Sequence, residues 1–296
     1  NDNNPKLAMI AMTIGSLSNV ILDYIFIYPF KLGMFGAALA TGATPILSLL
    51  ILSLHFIKKK NNFKLIKCKI NFAYMKRIIS LGVPSFITEV SSGLIILLFN
   101  LISCKEKEAI GSYNMSLRGF VEAYGIIANL ALIVISIFTG IAQGIQPIIS
   151  KSYGEGKIKN IRTIFKYGII TAIILGVGCY LFGLIFSEEI VNLFNSEGDK
   201  VLLSMAIGGI NIYFSAFIFM GINIVTTSFF ASINKPKESF AISMIRGLII
   251  VIPLILLLPN FLGMTGVWLT IPLSEAITLF ISIIIYFKYK REIVNS

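Results

Sequence analysis

Charged side chains are scarce: only 13% of the 296 residues are Asp, Glu, Lys or Arg, against about 25% in an ordinary soluble domain. With 56% hydrophobic residues and a mean hydropathy of +0.87, that shortfall excludes a soluble globular class. Histidine occurs once, as His55 beside Lys58, Lys59 and Lys60, where the interfacial edge of a helix accounts for it. The three cysteines, Cys68, Cys104 and Cys179, are scattered and form no CxxC pair, so neither a disulfide framework nor a thiolate metal site is indicated. No GxSxG, HExxH, Walker loop or His/Cys cluster appears, so the chain is expected to be no enzyme and to need no cofactor or metal. It opens on Asn without a signal-peptide pattern and is expected to be a piece of something longer.

What the chain has instead is long apolar runs. Residues 7–30 contain one charge (Asp23), residues 78–104 one (Glu89), and residues 123–150, 167–187 and 201–234 none. A spanning helix needs about 20 apolar residues to cross a ~30 Å hydrocarbon core, so the class is an all-α polytopic membrane protein. Eight spans are expected, at 7–28, 33–56, 77–101, 113–149, 162–186, 201–231, 240–258 and 264–287, with Pro and Gly at the joints.

The net charge of +11 raises nucleic acid as a partner, but the placement of the charge argues for the bilayer. Lys58 to Arg77 hold eight Lys/Arg, Lys151 to Lys166 five, Lys235 to Arg246 three and Lys288 to Arg291 three, and Lys6 precedes the first span. The other side has Lys31, Lys105, Lys107 and Lys200 and most of the acid. Twenty against four places both ends and the basic loops on the cytoplasmic side of a cell membrane. Residues 58–76 mix Lys with Phe63, Leu65, Ile66, Ile70 and Phe72. This suits an interfacial helix on an anionic leaflet, and an ordinary basic loop fits equally well.

An internal repeat organises the rest. PFKLGMFGAAL at 29–39 returns 230 residues later as PNFLGMTGVWL at 259–269, each copy between long apolar stretches. A basic lead-in also recurs, Asn3-Asn4-Pro5-Lys6 and Asn234-Lys235-Pro236-Lys237. Six expected spans separate the copies, an even number, so they run the same way across the membrane, as in transporters built from parallel repeats. If each copy joins the last two helices of a six-helix lobe, the parent has twelve helices. Residues 1–57 are then the last two helices of the N-lobe, 58–76 a basic cytoplasmic inter-lobe linker and 77–296 a six-helix C-lobe with a cytoplasmic tail. The first four helices of the N-lobe are missing from this arithmetic.

Charges inside a bilayer cost at least ~2.5 kcal/mol and are functional candidates by default. Asp23 lies about 25 Å along its helix from Lys6 at 1.5 Å per residue, either facing a central cavity or reaching outer-face water. Glu89 falls near mid-membrane with Ser85 and Ser92 on its face, after Pro84. The fourth span carries a polar stripe of Arg118, Glu122, Gly125, Asn129, Ser136, Gly140, Gln143 and Pro147, stepping by helical turns as a helix lining a water-filled path would. Arg118 and Glu122 are i, i+4 neighbours and read as a structural ion pair or as a switch. Glu275 is near mid-membrane with Ser274 and Thr278 beside it, and Asn211 is the nearest polar candidate within 201–231, which holds no carboxylate.

Several of these residues carry a resemblance. Asn19-Val-Ile-Leu-Asp23-Tyr-Ile-Phe-Ile27, Leu32-Gly-Met-Phe-Gly36-Ala-Ala-Leu-Ala-Thr41, Gly82-Val-Pro-Ser-Phe86 and Gly140-Ile-Ala-Gln-Gly144-Ile-Gln-Pro147-Ile-Ile-Ser-Lys-Ser-Tyr-Gly154 together resemble the MATE (multidrug and toxic compound extrusion) family, nearest its bacterial MepA-like members. The resemblance implies a two-lobe, twelve-helix fold and export of cationic amphipathic small molecules in exchange for H⁺ or Na⁺. It assigns Asp23 to the family carboxylate of the fifth helix and Glu122 to that of the eighth, with Glu89 in the seventh helix and no carboxylate in the tenth. With no ATP-binding segment, transport must be secondary or depend on a partner. The alternatives are a lipid-linked oligosaccharide flippase of related fold, for which only Arg118 and Arg246 are intramembrane cations, a channel-like or receptor protein, and a non-functional truncated fragment.

Overall fold

A computed structural model describes residues 5–57, 71–83, 86–87, 90–91, 93, 114–195 and 198–294, with backbone alone at 5, 55–56, 114–121 and 290–294. Everything regular among the described residues is helical. Five helices are long and apolar enough to cross a membrane, or six when one bent pair counts as a span. The protein is therefore a multi-pass membrane protein. Two compact units divide it, Asn1–Ile70 and Asn71–Ser296. The expected linker 58–76 lies outside the described residues up to residue 70.

The first unit is a helical hairpin, α1 (Pro5–Ile27) and α2 (Gly33–Ile57). Small residues let the two helices approach: Ala11 and Ala40 are fully buried. Gly15 leaves the space that the Ser48 hydroxyl occupies, and that hydroxyl donates to the Ala11 carbonyl at 3.2 Å. Lipid tails are as apolar as Leu, so close backbone approach and interhelical hydrogen bonds take over the role burial has in water. At the turn, Lys31 and Gly33 both have φ 53, which Gly accepts without strain.

The second unit opens with the helical residues 72–83 (α3) and continues through α4 (Asn114–Gly154), α5 (Ile158–Ile185), the short α6 (Ser187–Asn192), α7 (Lys200–Tyr213), α8 (Ala216–Ser232), α9 (Pro236–Met244), a π-turn (Ile245–Ile249) and α10 (Val251–Val294). Its core gathers around α8, which packs against α4, α5, α9 and α10. Phe217, Val225 and Phe230 are fully buried there. Gly176 of α5 brings its backbone against α8, where a Cβ would stand 2.5 Å from the Phe217 carbonyl. Phe165 meets Phe229 at 4.2 Å and Tyr286 at 5.2 Å between ring centroids, tying α5, α8 and α10 together.

Three elements depart from the expected spans. The run 201–231 is broken: α7 and α8 meet at a 46° bend, with Phe214 packed where Gly183 has no side chain. The span expected at 240–258 begins at Pro236 and is interrupted by the π-turn at 245–249. α4 runs five residues beyond its expected end at 149, to Gly154. By contrast, α10 spans two expected helices that the backbone separates at Gly263 (φ 53, ψ −134). Asp199 caps α7, its Oδ1 accepting from Val201 N at 2.7 Å, as an orphan N–H at a helix start requires.

Candidate functional site

Polar groups in the membrane core are costly unless paired, so the pairing of each candidate is the useful observation. In the first unit, Asp23 is half-buried on α1, and its Oδ1 is buried without a hydrogen-bond partner among the described residues. Asn19, one helical turn earlier, has its Nδ2 in the same condition. An orphaned acceptor and an orphaned donor at i and i+4 share a helix face. A proton, a cation or water satisfies such an acceptor, and the Asn amide supplies a second polar group beside it.

In the second unit the polar stripe of α4 keeps to one face. Glu122, Asn129, Ser136, Gly140, Gln143 and Pro147 are exposed, whereas Ala123, Ile127, Phe138 and Ile149 on the opposite face are fully buried. Asn129 and Ser136 spend their donors within the helix, on Gly125 O and Leu132 O, both at 2.8 Å. The Arg118 side chain and all of Glu89, with Pro84, Ser85 and Ser92, lie outside the described residues. Asn211 is half-buried on α7, its Oδ1 without a hydrogen-bond partner among the described residues.

Glu275 has the most developed surroundings. It is 3% exposed, and its Oε1 accepts from Arg246 Nε at 2.6 Å. Asn223 Nδ2 donates to its Oε2 at 2.7 Å and to its backbone carbonyl at 2.9 Å. Ser282 in turn donates to Asn223 Oδ1 at 3.4 Å. The arrangement follows from helix periodicity: Thr270, Ser274, Thr278 and Ser282 step by four along α10 and are all buried. Three of these hydroxyls close onto α10's own carbonyls, at Gly266, Ile271 and Ser274. Arg246 comes from the π-turn after α9 and Asn223 from the middle of α8. Beside this network lies a cavity of about 100 Å³, lined among others by Ser91, Tyr124, Tyr213, Ser243, Arg246 and Glu275. Tyr124 stacks on Trp268 at 6.3 Å, and Gly209 leaves the room for that indole.

The sequence shows Glu275 and Arg246 as charges inside expected spans but not that they meet; Arg246 lies seven residues inside the expected span 240–258 and also closes a cytoplasmic basic cluster. Asn223 carries no charge and so is silent in a charge scan of 201–234. The four-residue step of Thr270, Ser274, Thr278 and Ser282 was the available signal that this face of α10 is polar and enclosed.

Residues 119–257 match the MatE family model. A protein named multidrug export protein MepA from Staphylococcus haemolyticus is 25% identical over 291 residues, covering 98% of this chain and 61% of that protein. Its namesake from Staphylococcus saprophyticus is 22% identical over 275 residues, covering 92% and 58%. The chain resembles the MATE family. A solved structure described as the outward-facing conformation of a multidrug resistance MATE family transporter of the MOP superfamily superposes with TM-score 0.84 at 20% identity, covering 97% of this chain and 63% of that one. A MATE in the straight conformation gives 0.83 at 22% identity, covering 97% and 63%. The fold is thus the MATE fold over the part present. The chain spans about three fifths of the length of these relatives.

Proposed function

We propose that this chain forms part of a secondary multidrug efflux transporter of the cell membrane, exporting cationic amphipathic compounds in exchange for H⁺ or Na⁺, with both ends of the chain cytoplasmic. The observation that carries the reading is the orphaned carboxylate oxygen of Asp23 beside the orphaned amide of Asn19, within an apolar hairpin that has no other acid. Likeness to proteins named as multidrug exporters supports the cargo class.

In this mechanism the ionised Asp23 attracts a cationic substrate while the site faces the cytoplasm. A proton or Na⁺ arriving from outside satisfies the same oxygen, so substrate and coupling ion compete for one carboxylate and exchange follows from alternating access. The exposed polar stripe of α4, with Arg118, Glu122, Asn129 and Gln143, is the proposed wetted wall of the path. Asn211, Glu89 and Glu275 are held as further candidates on the C-lobe side. The Arg246 ion pair keeps Glu275 from serving as a freely exchanging acid, since taking up a proton there would strand the guanidinium.

The test is ethidium efflux from cells expressing the gene that encodes this chain, with H⁺ and Na⁺ gradients collapsed separately. Efflux that needs one gradient and disappears in Asp23→Asn, with normal membrane insertion, is expected. Unchanged efflux in that variant overturns the assignment.

A further inference from the structure

The cavity beside Glu275 is unbalanced in hydrogen-bonding capacity, and the imbalance has a direction. Both carboxylate oxygens of Glu275 are engaged, Oε1 by Arg246 and Oε2 by Asn223. The guanidinium has five N–H donors, yet only its Nε is used among the described residues, and the side chain keeps 14% of its exposure. Ser91 and Ser243, each 2% exposed, line the same cavity, and both hydroxyls are without a partner among the described residues. Such orphaned groups in a protein interior are costly until a partner satisfies them. Ser91 is held there because Gly247, next to Arg246, has no Cβ to displace its hydroxyl.

The more exposed member of the pair is the guanidinium, at 14% against 4% for the carboxylate, so the site presents the Nη donors of Arg246 and the two unpartnered serine hydroxyls. A ligand fills it by bringing acceptors. Beside Tyr124, Tyr213 and Ser274 the remaining walls are apolar, with Ala128, Leu132, Ile135, Met220 and Ile271 among them. The geometry points to a binding site for amphipathic carboxylates, with the carboxylate on Arg246 Nη and the hydroxyls of Ser91 and Ser243, and the apolar body against α4, α8 and α10. A carboxylate matches the fork of a guanidinium and leaves the Arg246 Nε to Glu275. A cationic head, by contrast, meets an acid that is 3% exposed and already accepts from Arg246 and Asn223. The inference concerns binding alone, so it stands or falls separately from ion-coupled export.

Trp268 is the sole tryptophan and stacks on Tyr124, which lines the cavity, so its fluorescence reports occupancy. The full chain, purified in detergent, is titrated with 4-iodobenzoate, 4-iodobenzamide and 4-iodobenzylammonium, whose common iodine quenches indole emission at short range. Saturable quenching by the benzoate is expected, about tenfold tighter than by the amide, because a hydrogen bond to a charged group is stronger than one to a neutral group by about that factor. Ser91→Ala and Ser243→Ala, which leave the Arg246–Glu275 pair intact, should each weaken the benzoate several-fold and leave the amide unmoved. Equal quenching by benzoate and amide, no saturable quenching by any probe, or tightest binding of the ammonium each overturns the inference. Efflux that fails while benzoate quenching persists counts against the export reading only.

Discussion

Glu275→Gln removes one unit of charge and almost no volume, which makes it the sharpest probe of the buried network. In the parent, a carboxylate with 4% side-chain exposure faces a guanidinium with 14%, at 2.6 Å. The substitution leaves Arg246 charged, since a guanidinium does not release its proton, and unpaired in an enclosed site. Breaking a buried ion pair from one side costs about 3–5 kcal/mol. For a chain of this size that corresponds to a melting temperature lower by roughly 6–20 °C, at about 2–4 °C per kcal/mol. Arg246→Gln is the reciprocal single variant and should also destabilise, because it removes the guanidinium from the buried carboxylate. Replacing both, Arg246→Met with Glu275→Met, should recover most of the loss, because no charge is then stranded. Asn223 also retains its 2.9 Å bond to the backbone carbonyl of residue 275. The assay is thermal unfolding followed through Trp268 emission in one detergent, on the parent, both single variants and the double. A single Glu275→Gln variant melting within about 2 °C of the parent, well inside the expected drop, refutes a desolvated pair. So does a double variant no better than that single one, for then the two residues are not coupled.

Other perturbations have equally definite outcomes. Gly221→Leu should lower the melting temperature and impair insertion of α8 against α4, because a Cβ there already meets the Phe138 ring at 2.6 Å. Asp199→Ala should fray the start of α7 and cost about 1 kcal/mol, measured by hydrogen exchange at Val201 and Leu202. In the loop after α4, the 2.7 Å bond from Lys157 holds the Glu155 carboxyl below its ordinary value. That contribution is therefore present above the ordinary carboxylate range and fades as pH falls through it. Both groups are well exposed, so Glu155→Gln is expected to leave the melting temperature unchanged at pH 7.

Membrane class, the all-helical build and the hairpin turns were legible in the sequence, because each rests on a local signal strong enough to act alone. An apolar run of 20 or more residues has few options in a bilayer, and Gly33 and Gly263 mark joints that another residue enters only with strain. The polar face of α4 was legible for the same reason, since the periodicity of one helix fixes which of its residues share a side. Pairings between helices were not. Glu275 reads as a lone mid-membrane acid until α9 and α8 deliver Arg246 and Asn223 to it. Nothing in the spacing of 223, 246 and 275 encodes that meeting, which depends on a π-turn and a 46° bend. The break between α7 and α8 was also hidden, because 201–234 has neither Pro nor charge to announce it.

The repeat carries a further test, because its two copies share backbone conformation as well as letters. Gly33 and Gly263 both have φ 53, and three residues on, Gly36 and Gly266 both stand against the end of the preceding helix. At Gly36 a Cβ would stand 3.0 Å from the Phe26 backbone carbon and from the Cβ atoms of Phe26 and Leu32, a contact that shifts of a few tenths of an ångström relieve. At Gly266 the obstacle is nearer and is backbone alone, the Leu258 carbonyl and the Pro259 nitrogen. The same substitution should therefore have unequal effects. Gly266→Ala is expected to destabilise by several kcal/mol, on the scale of severe single changes, and Gly36→Ala by about 1 kcal/mol, near the centre of the distribution. Gly263→Ala should cost about 1–3 kcal/mol, because φ 53 with ψ −134 is a region essentially reserved for glycine. Comparable melting temperatures for Gly36→Ala and Gly266→Ala would mean that the two joints are mechanically equivalent and that the backbone contact at Leu258 is not rigid.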